Sequence, residues 1–563
     1  MGMKLRAGLT SLLTTVGLAA VATPAAAAGP PVDVIVRTAS PAALAGAEAL
    51  VRRSGGTIER DLAVISGFAA RVPSGVVAAL ERTPGVDEVT ADGTVRMKGR
   101  NWIDDGGANA TVGTVKRAAG GKKTNTVALT GAGVGVALID SGVAPVPGLS
   151  QPGKVVNGPD LSFESQTPGL VNIDSYGHGT HMAGIIAGND PATGFEGLAP
   201  GAKLISLKVA AADGAADVSQ VIAAIDWVVT HRNDPGLNIR VLNLSFGTDS
   251  TQSALLDPLS YAVEAAWRKG IVVVVAVGND GPTASRVTMP AANPYVIAVG
   301  AADANGTEIR TDDTVASFST RGSYSRHADL LATGRSIVSL RVPGSYIDLA
   351  YPGARVTDTT FRGSGTSQAT AVVSGSVALL LQQRPGLTPD QVKKLLMESA
   401  DPLTGADPIA AGAGQLDIAG AAALSVPLTA RQLFLPATGL GTLEGARGSS
   451  YVVDAVTGRA LTGERDIFGA PWRPLVWTPL ARDGRAWTGG TWNGKVWSGS
   501  AYNGTSWASV TWNTATWTSL NWAGRAWTGT DWSGRAWTGR AWTGRAWTSG
   551  TWLGRAWTGR AWT

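Results

Sequence analysis

Apolar runs and amphipathic segments alternate along the middle of the chain, from residue 129 onward. Four short runs are almost wholly apolar and predict strands buried on both faces: GVGVALID, AKLISLKVA, IRVLNLSFG and IVVVVAVGN. Between them lie segments with the period of a helix: HGTHMAGIIAG, VSQVIAAIDWVVTHR and SALLDPLSYAVEAAWRKG. Strands that alternate with helices form a parallel sheet with helices on both faces. The pattern therefore predicts an α/β domain, which we place at residues 127–425.

The N-terminal part has a mixed pattern. Over residues 32–92 the order is strand, helix, two strands, helix and strand, with helices at PAALAGAEALVRRSGG and SGVVAALERTPG. This order predicts a small ferredoxin-like α+β unit at residues 29–93. No candidate reactive group lies in it.

The first 28 residues have the pattern of a secretory signal peptide. Lys4 and Arg6 precede an apolar run over residues 9–22, and an alanine-rich stretch offers cleavage positions near Ala28. The apolar run is shorter than the roughly 20 residues that a membrane-spanning helix needs. We therefore expect export, with no transmembrane segment in the mature chain.

Two further stretches lack a sustained period and are interpreted as connections. Residues 94–126 are rich in Gly, Asn and basic residues, which is typical of a linker or a processing junction. Residues 426–471 are irregular, and we interpret them as a second linker.

Residues 472–563 form a repeat of five residues that resembles RAWTG. Seventeen of the 20 Trp residues lie here at five-residue spacing, with Arg482 and Tyr502 at the two positions that lack Trp. Five residues rotate a helix by about 500°, so Trp would form no stripe, and an odd period alternates between the faces of a strand. A β-solenoid with one short strand per repeat and a disordered low-complexity tail both remain open.

Charge is concentrated in the same repeat. The chain has a formal net charge of +5, whereas residues from Pro471 onward carry ten Lys and Arg against two Asp. Arg often precedes Trp by two residues, which permits cation–π contacts and favours an anionic surface. For an exported protein we expect cell-wall polymer or polysaccharide as the partner of the tail, with self-assembly as the other candidate and no nucleic acid. The absence of Cys excludes a thiol nucleophile, a cysteine metal site and disulfides.

Polar residues with possible chemistry stand at the ends of predicted strands and the starts of predicted helices. Asp140, Ser245 and Asn279 follow strands, and sites collect at the carboxyl ends of parallel strands. His178 and Ser367 begin helices, where backbone N–H groups and the helix dipole stabilise an oxyanion.

Each of these residues also has a purely structural interpretation. Asp140 fits a turn and Ser367 fits a helix cap, while His178 fits either a cap or, with His181, a metal pair. No HExxH motif accompanies the two histidines, which disfavours zinc hydrolysis. The GAGVG run lacks the third glycine of a dinucleotide site, and Ser367 is not in a GxSxG elbow.

Together the motifs resemble those of the subtilisin-like serine peptidases. The matching segments are ALIDSGV, HGTHMAG, LNLSFG, VAVGN and GTSQA, in the family's order Asp, His, Asn, Ser over roughly residues 129–422. The resemblance implies that Ser367 is the nucleophile, His178 the general base and Asp140 its orienting carboxylate. It also implies that Asn279 and the Ser367 N–H form an oxyanion hole.

The resemblance carries further expectations. Ser245, Phe246 and Gly247 would pair with an extended protein or peptide substrate, and Gly247 would leave room for the substrate side chain. The unit at residues 29–93 would be a propeptide that inhibits the enzyme until it is removed, with the processing point between Asp92 and Val127. No cofactor is implied for catalysis. Structural calcium stays open because no ligand cluster identifies a site.

Two functions of different classes are therefore considered. The first is a secreted serine endopeptidase made as a zymogen, whose tail attaches it to a surface or polymer. The second is a catalytically idle peptidase-like scaffold that acts as a cell-surface or polysaccharide-binding protein. The complete set of motifs favours the endopeptidase.

The chain departs from the family pattern at two positions in the Ser367 helix. Gln368 stands where Met commonly follows the nucleophile, and Ala371 stands where Pro is usual. Neither change removes a catalytic group.

Gln368 leads to a prediction about oxidation. Because no thioether lies next to Ser367 in sequence, dilute peroxide should inactivate this protein slowly. The matched variant Gln368→Met should lose activity several-fold faster in the same peroxide, as followed by residual peptidase activity over time. Equal, rapid loss in both proteins would contradict the prediction.

Overall fold

The computed structural model describes residues 29–62, 67–91, 108–119, 129–165, 169–454, 460–466 and 471–486, with three short strands beyond them. The predicted signal peptide and most of the tryptophan repeat lie outside the described residues. The chain divides into two compact units, Met1–Thr94 and Val95–Thr563. None of the described helices is long and apolar enough to cross a membrane.

The first unit is a four-stranded antiparallel sheet with two helices. Its elements are β1 Pro31–Thr38, α1 Pro41–Arg53, β2 Thr57–Leu62, β3 Gly67–Pro73, the 3-10 turn Ser74–Val76, α2 Val77–Glu81 and β4 Val86–Ala91. The strands lie in the order β2-β3-β1-β4, and every neighbouring pair is antiparallel. Val36, Val51, Phe68 and Leu80 are buried in its core. The predicted ferredoxin-like order is confirmed.

The second unit is built on an eight-stranded, mostly parallel sheet. The strands of the whole unit, including those of its smaller sheets, are β5 Ala110–Thr111, β6 Gly135–Asp140, β7 Val155–Asn157, β8 Asn189–Asp190, β9 Phe195–Glu196, β10 Lys203–Lys208, β11 Ile239–Leu244, β12 Val272–Ala276, β13 Ile297–Asp303, β14 Thr314–Val315, β15 Leu330–Thr333, β16 Ile337–Leu340, β17 Thr360–Gly363 and β18 Val452–Asp454. The three short strands near the C-terminus are β19 Thr491–Trp492, β20 Lys495–Val496 and β21 Trp517–Ser519.

Helices connect these strands. They are α3 Val112–Ala118, α4 His178–Ala187, α5 Val218–His231, α6 Pro258–Arg268, α7 Tyr346–Ala350, the 3-10 turn Pro352–Ala354, α8 Thr366–Gln383, α9 Pro389–Ser399, α10 Pro408–Ala411, α11 Ile418–Ala423, α12 Leu443–Arg447 and α13 Pro474–Asp483. Every residue of α8 from Thr366 to Leu381 is buried. This helix packs against β11, β12, β13 and β15 and so forms the centre of the unit.

The order of the large sheet determines where a site can form. Its strands run β14-β13-β12-β11-β6-β10-β7, and β15 also pairs with β13. All of these pairs are parallel except β13 with β14, so the predicted α/β class is confirmed. The chain continues from β6 to β7 and β10 on one side, and then crosses to β11 on the other. A crevice opens at such a crossing, outside the carboxyl end of β6.

One predicted helix begins later than its pattern indicates. The amphipathic segment starts at Ser253, whereas α6 begins at Pro258. Proline suits the first helical position because its missing N–H needs no partner there. The Asp257 side chain accepts the Ser260 N–H at 3.0 Å and caps the helix.

The structure differs from both predicted linkers. Within residues 94–126, β5 pairs with β16, and Ala110, Val112 and Val115 belong to the main core. Within residues 426–471, α12 packs against α5 and α6, and Leu443 and Val452 are buried in the same core. Both stretches bury isolated apolar residues without a helical or strand period, which is why the pattern did not reveal them.

The start of the tryptophan repeat is also part of the folded unit. Trp472 and Trp477 are buried, with their ring centroids 5.0 Å apart. Trp477 donates its indole N–H to Asp226 of α5 and lies edge-on to Tyr261 of α6. These first two Trp residues are therefore core residues and not members of an exposed binding surface.

A completely buried ion pair holds the C-terminal segment on the rest of the second unit. The Arg447 and Asp217 side chains are both fully buried, and the Arg447 Nε atom lies 2.7 Å from Asp217 Oδ1. Asp217 also caps α5 by accepting the Ser219 N–H. Removing one member of such a pair leaves an uncompensated buried charge.

We therefore expect Arg447→Met to lower the free energy of unfolding by about 3–5 kcal/mol. The measurement is denaturant unfolding in the Ser367→Ala background, which prevents self-digestion. The double variant Arg447→Met with Asp217→Asn should recover part of the loss, because it removes both charges. Arg482→Met is the control, since that guanidinium is largely exposed beside Asp483. An unchanged stability in Arg447→Met would contradict the prediction.

Candidate active site

One cavity at the carboxyl edge of the large sheet brings the predicted site residues together. Asp140 ends β6, Ser245 follows β11, and Asn279 follows β12. His178 is the first residue of α4, and Ser367 is the second residue of α8. The residues that line the cavity include all seven predicted site residues: Asp140, His178, Ser245, Phe246, Gly247, Asn279 and Ser367.

Asp140 and His178 form a buried hydrogen-bonded pair. The His178 Nδ1 atom lies 2.8 Å from Asp140 Oδ1 and 3.0 Å from Oδ2. The Ser141 N–H also donates to Oδ1 at 2.8 Å, which fixes the carboxylate. Because Nδ1 faces the carboxylate, this contact stabilises the tautomer in which Nδ1 carries the proton and Nε2 is the basic nitrogen.

A second buried carboxylate, Asp174, supports this pair and was missed at the level of sequence. It accepts the Ser141 hydroxyl at 2.8 Å, the Gly177 N–H at 2.6 Å and the Thr180 N–H at 2.7 Å. These bonds tie the first turn of α4 to the end of β6. An acidic residue just before a predicted helix is a capping signal, and that signal alone could have indicated Asp174.

The electrostatics of the pair favour a charged imidazole. Burial disfavours the charged ring, but the Asp140 carboxylate, through its charge and hydrogen bond, together with the charge of Asp174, outweighs that effect. The pKa of His178 is therefore raised above its usual value of 6.5. Burial also raises the pKa of Asp174, although four hydrogen bonds act in the opposite direction.

Ser367 and Ser245 are held by reciprocal hydrogen bonds. The Ser367 hydroxyl donates to the Ser245 carbonyl at 2.7 Å, and the Ser245 hydroxyl donates to the Ser367 carbonyl at 3.1 Å. The first turn of α8 is thereby fixed against the end of β11. In this rotamer the Ser367 hydroxyl has its hydrogen-bond partner within the cavity wall.

The Asn279 amide has a defined orientation. Its Oδ1 atom accepts the Thr366 N–H at 2.9 Å and the Thr366 hydroxyl at 3.0 Å. With the oxygen engaged at the start of α8, Nδ2 is the donor side of the amide.

Comparison with known proteins agrees with this geometry. The model of the Subtilase family, Peptidase S8, matches residues 131–422, which is more than half of the chain. The chain belongs to the subtilase family. It is a subtilisin-like serine endopeptidase. A second model, described as "Putative peptidase inhibitor domain", matches residues 16–92, which include nearly all of the predicted propeptide.

The relatives that this subtilase resembles include proteases of Bacillus species. Serine protease AprX of Bacillus subtilis (strain 168) is 41% identical over 301 residues, covering 52% of this chain and 67% of the relative. Subtilisin DY of Bacillus licheniformis is 35% identical over 295 residues, covering 52% of this chain and 92% of the relative. A solved cold adapted subtilisin-like serine proteinase is 30% identical, with a TM-score of 0.39, and covers 50% of this chain and 87% of that chain.

A second histidine of α4, His181, does not line the cavity and has a structural role. His181 is buried, its Nε2 atom lies 3.1 Å from the Phe361 carbonyl, and burial lowers its pKa to about 3. It is thus neutral across the working range of a peptidase. No group of three or more His, Cys, Asp or Glu side chains in the described part of the chain could hold a metal ion.

The raised pKa of His178 predicts the pH dependence of the subtilase. A general base acts only when it is neutral, so kcat/KM should fall as the pH drops through this pKa, and the acid limb should lie above 6.5. The carboxylate of Asp140 makes the largest contribution that raises the pKa of His178. In Asp140→Asn this charge is absent, so burial should lower the pKa of His178. The chain has only four His residues, which makes an NMR titration of Ser367→Ala feasible. A His178 pKa at or below 6.5 in Ser367→Ala would contradict the prediction.

Proposed function

We propose that this subtilase is a secreted endopeptidase, made as a zymogen, in which Asp140, His178 and Ser367 form the catalytic triad. The observation that carries the proposal is the buried Asp140–His178 hydrogen bond in the cavity that also holds Ser367 and Asn279. The Asp140 carboxylate raises the pKa of the His178 imidazole, which makes the imidazole a stronger base for the removal of a hydroxyl proton.

In the proposed mechanism, the Ser367 hydroxyl leaves the Ser245 carbonyl and attacks the carbonyl carbon of the scissile peptide. Its proton passes to His178 Nε2, and the Asp140 carboxylate stabilises the imidazolium that forms. His178 then gives this proton to the leaving amine, so the C–N bond breaks and an acyl-enzyme ester remains. Water repeats the steps on the ester and restores the Ser367 hydroxyl.

We assign the oxyanion hole to the Asn279 side-chain amide and the Ser367 backbone N–H. The Thr366 contacts to Asn279 Oδ1 support this assignment because they fix the amide before the reaction begins. The cost of losing one such donor, about 10²- to 10³-fold in kcat, is the value known for the corresponding amide of subtilisin itself.

We assign substrate pairing to the backbone of Ser245, Phe246 and Gly247. These residues extend beyond the end of β11 and line the cavity. A Cβ atom at Gly247 would lie 2.5 Å from the Thr288 hydroxyl and 2.7 Å from the Met289 carbonyl. Only glycine fits there without moving the opposite wall. Main-chain pairing gives broad sequence tolerance, which suits a peptidase of general specificity.

Export and activation are proposed from the N-terminal sequence. The signal-peptide pattern supports secretion, and the inhibitor-domain match supports a propeptide that keeps the enzyme inactive until it is removed. The processing point was expected between Asp92 and Val127. Because Ala110 and Val112 are core residues of the second unit, we now place that point within residues 92–109.

The tail is proposed to attach the enzyme to an anionic or carbohydrate polymer. The sequence pattern in which Arg precedes Trp by two residues supports this role. The proposal applies only to the Trp residues that follow Trp477, because Trp472 and Trp477 are buried. The alternative of an idle scaffold is not favoured, because the chain retains each group that the reaction needs.

Labelling with a serine-directed fluorophosphonate tests the proposed function. The purified, secreted protein should label and lose mass by cleavage within residues 92–109, whereas Ser367→Ala should do neither. Ser325→Ala, which changes an exposed serine far along the chain from the site, should behave like the parent. If the parent stays unlabelled even after its N-terminal unit is removed, the idle scaffold is the correct function.

A further inference from the structure

Three residues of the catalytic cavity come from outside the part of the chain that the family model matches. The match ends at residue 422, but Ser450, Tyr451 and Val452 line the same cavity as Ser367 and His178. They belong to a segment that we call the strap, residues 443–453. The strap consists of α12, a turn and the first residues of β18.

The strap is fixed to the wall of the cavity by the buried Arg447–Asp217 pair. Asp217 immediately precedes Val218, and Val218 lines the cavity. Arg447 also donates to the Gly463 carbonyl at 2.7 Å, so its guanidinium is held from two directions. The start of α5 and the strap therefore keep a fixed separation at this wall.

A second attachment lies close to the substrate-pairing backbone. The Ser449 N–H and hydroxyl donate to the Asp249 carboxylate at 2.8 and 2.5 Å. Thr248 directly follows Gly247, and its hydroxyl donates to the Ala446 carbonyl at 2.8 Å. Gly448 has a positive φ of 61°, and a Cβ atom there would lie 2.4 Å from Asp249 Oδ1. The strap is thus attached at two places, both just before the residues that it presents to the cavity.

Consecutive strap residues have different surroundings, as expected for extended chain. Val452 is 1% exposed and lines the cavity together with the apolar side chains of Val218, Val221 and Leu259. Val453 is 2% exposed but is not among the residues that line the cavity. The Tyr451 hydroxyl donates to Glu444 at 2.9 Å, within the strap.

We infer that the strap is a wall of the substrate cleft and that Val452 limits the size of the substrate side chain accepted beside α5 and α6. The recognised group is an apolar side chain, because the neighbouring wall is made of Val218, Val221 and Leu259. A β-branched valine on a fixed backbone has few ways to move aside, so a larger substrate side chain meets a rigid obstacle. This inference rests on the proposed function for its kinetic test.

The test compares Val452→Ala with Val453→Ala in the processed enzyme. Both variants remove the same two methyl groups from a buried valine, so they impose a similar loss of packing. A peptide series carries Ala, Val, Leu or Phe at one position at a time around the scissile bond. At one position, Val452→Ala should raise the ratio of kcat/KM for Phe over Ala about tenfold, whereas Val453→Ala should leave it unchanged.

The variant Val452→Leu is expected to change the ratio in the opposite direction. It keeps the inference testable if Val452→Ala fails to fold. It should lower the same ratio by a similar factor, because a longer side chain narrows the pocket. An equal change in Val452→Ala and Val453→Ala, or no change in either, would overturn the inference and leave the strap with a structural role. A uniform rise in kcat/KM for every peptide would also overturn it, since the strap would then be a cover.

A binding measurement separates this inference from the proposed catalytic function. In the Ser367→Ala background, fluorescence anisotropy reports the affinity of the same labelled peptides without turnover. Val452→Ala should strengthen binding of the Phe peptide relative to the Ala peptide, and Val453→Ala should not. If the parent fails to react with fluorophosphonate, the catalytic proposal fails, while the binding ratio still decides whether Val452 limits the pocket.

Discussion

The hydrogen bond between the buried Asp140 carboxylate and His178 joins the end of β6 to the start of α4, and the surrounding structure serves to keep it in place. The two residues are distant in sequence, because 37 residues separate Asp140 from His178. Asp174 closes the gap by accepting hydrogen bonds from Ser141 on one side and Gly177 and Thr180 on the other. The imidazole is therefore oriented by backbone as well as by its own partner.

A buried ion pair between Lys208 and Glu164 contacts the segment that precedes α4. Lys208 lies directly opposite Asp140 in the sheet register, and its Nζ atom lies 2.5 Å from Glu164 and donates to the Ile173 carbonyl at 2.6 Å. Glu164 also accepts the Ser175 hydroxyl. Buried pairs often add little net stability, because the cost of desolvation offsets the attraction. The Lys208–Glu164 pair instead fixes geometry, since it holds the chain at Ile173 and Ser175 in one arrangement in which both of its charges are compensated.

The sequence singles out the residues that the structure brings together in one cavity, but it does not reveal the residues that support them. Buried strands and helix starts have local signatures, so Asp140 stands out at the end of a parallel strand, and His178 and Ser367 stand out at the starts of helices. Asp174, Asp217 and Arg447 are ordinary polar residues until distant parts of the chain bury them. The segments around Ala110 and Val452 contribute a few apolar residues each without a period, and the repeat spacing of Trp477 hides its burial.

These supports also change where the catalytic unit ends. The family match covers residues 131–422, but the folded unit includes β5 and α3 before it and α12, β18 and α13 after it. A chain cut at residue 425 would expose the surfaces that Leu443, Val452 and Trp477 cover, and it would leave Asp217 buried without Arg447. Asp217 caps α5, and Val218 and Val221 of α5 line the cavity. The loss of Arg447 would therefore disturb the wall of the cavity as well as lower the overall stability. The C-terminal segment is for this reason a part of the folded unit that forms the candidate site, and three of its residues, Ser450, Tyr451 and Val452, line the same cavity as Ser367.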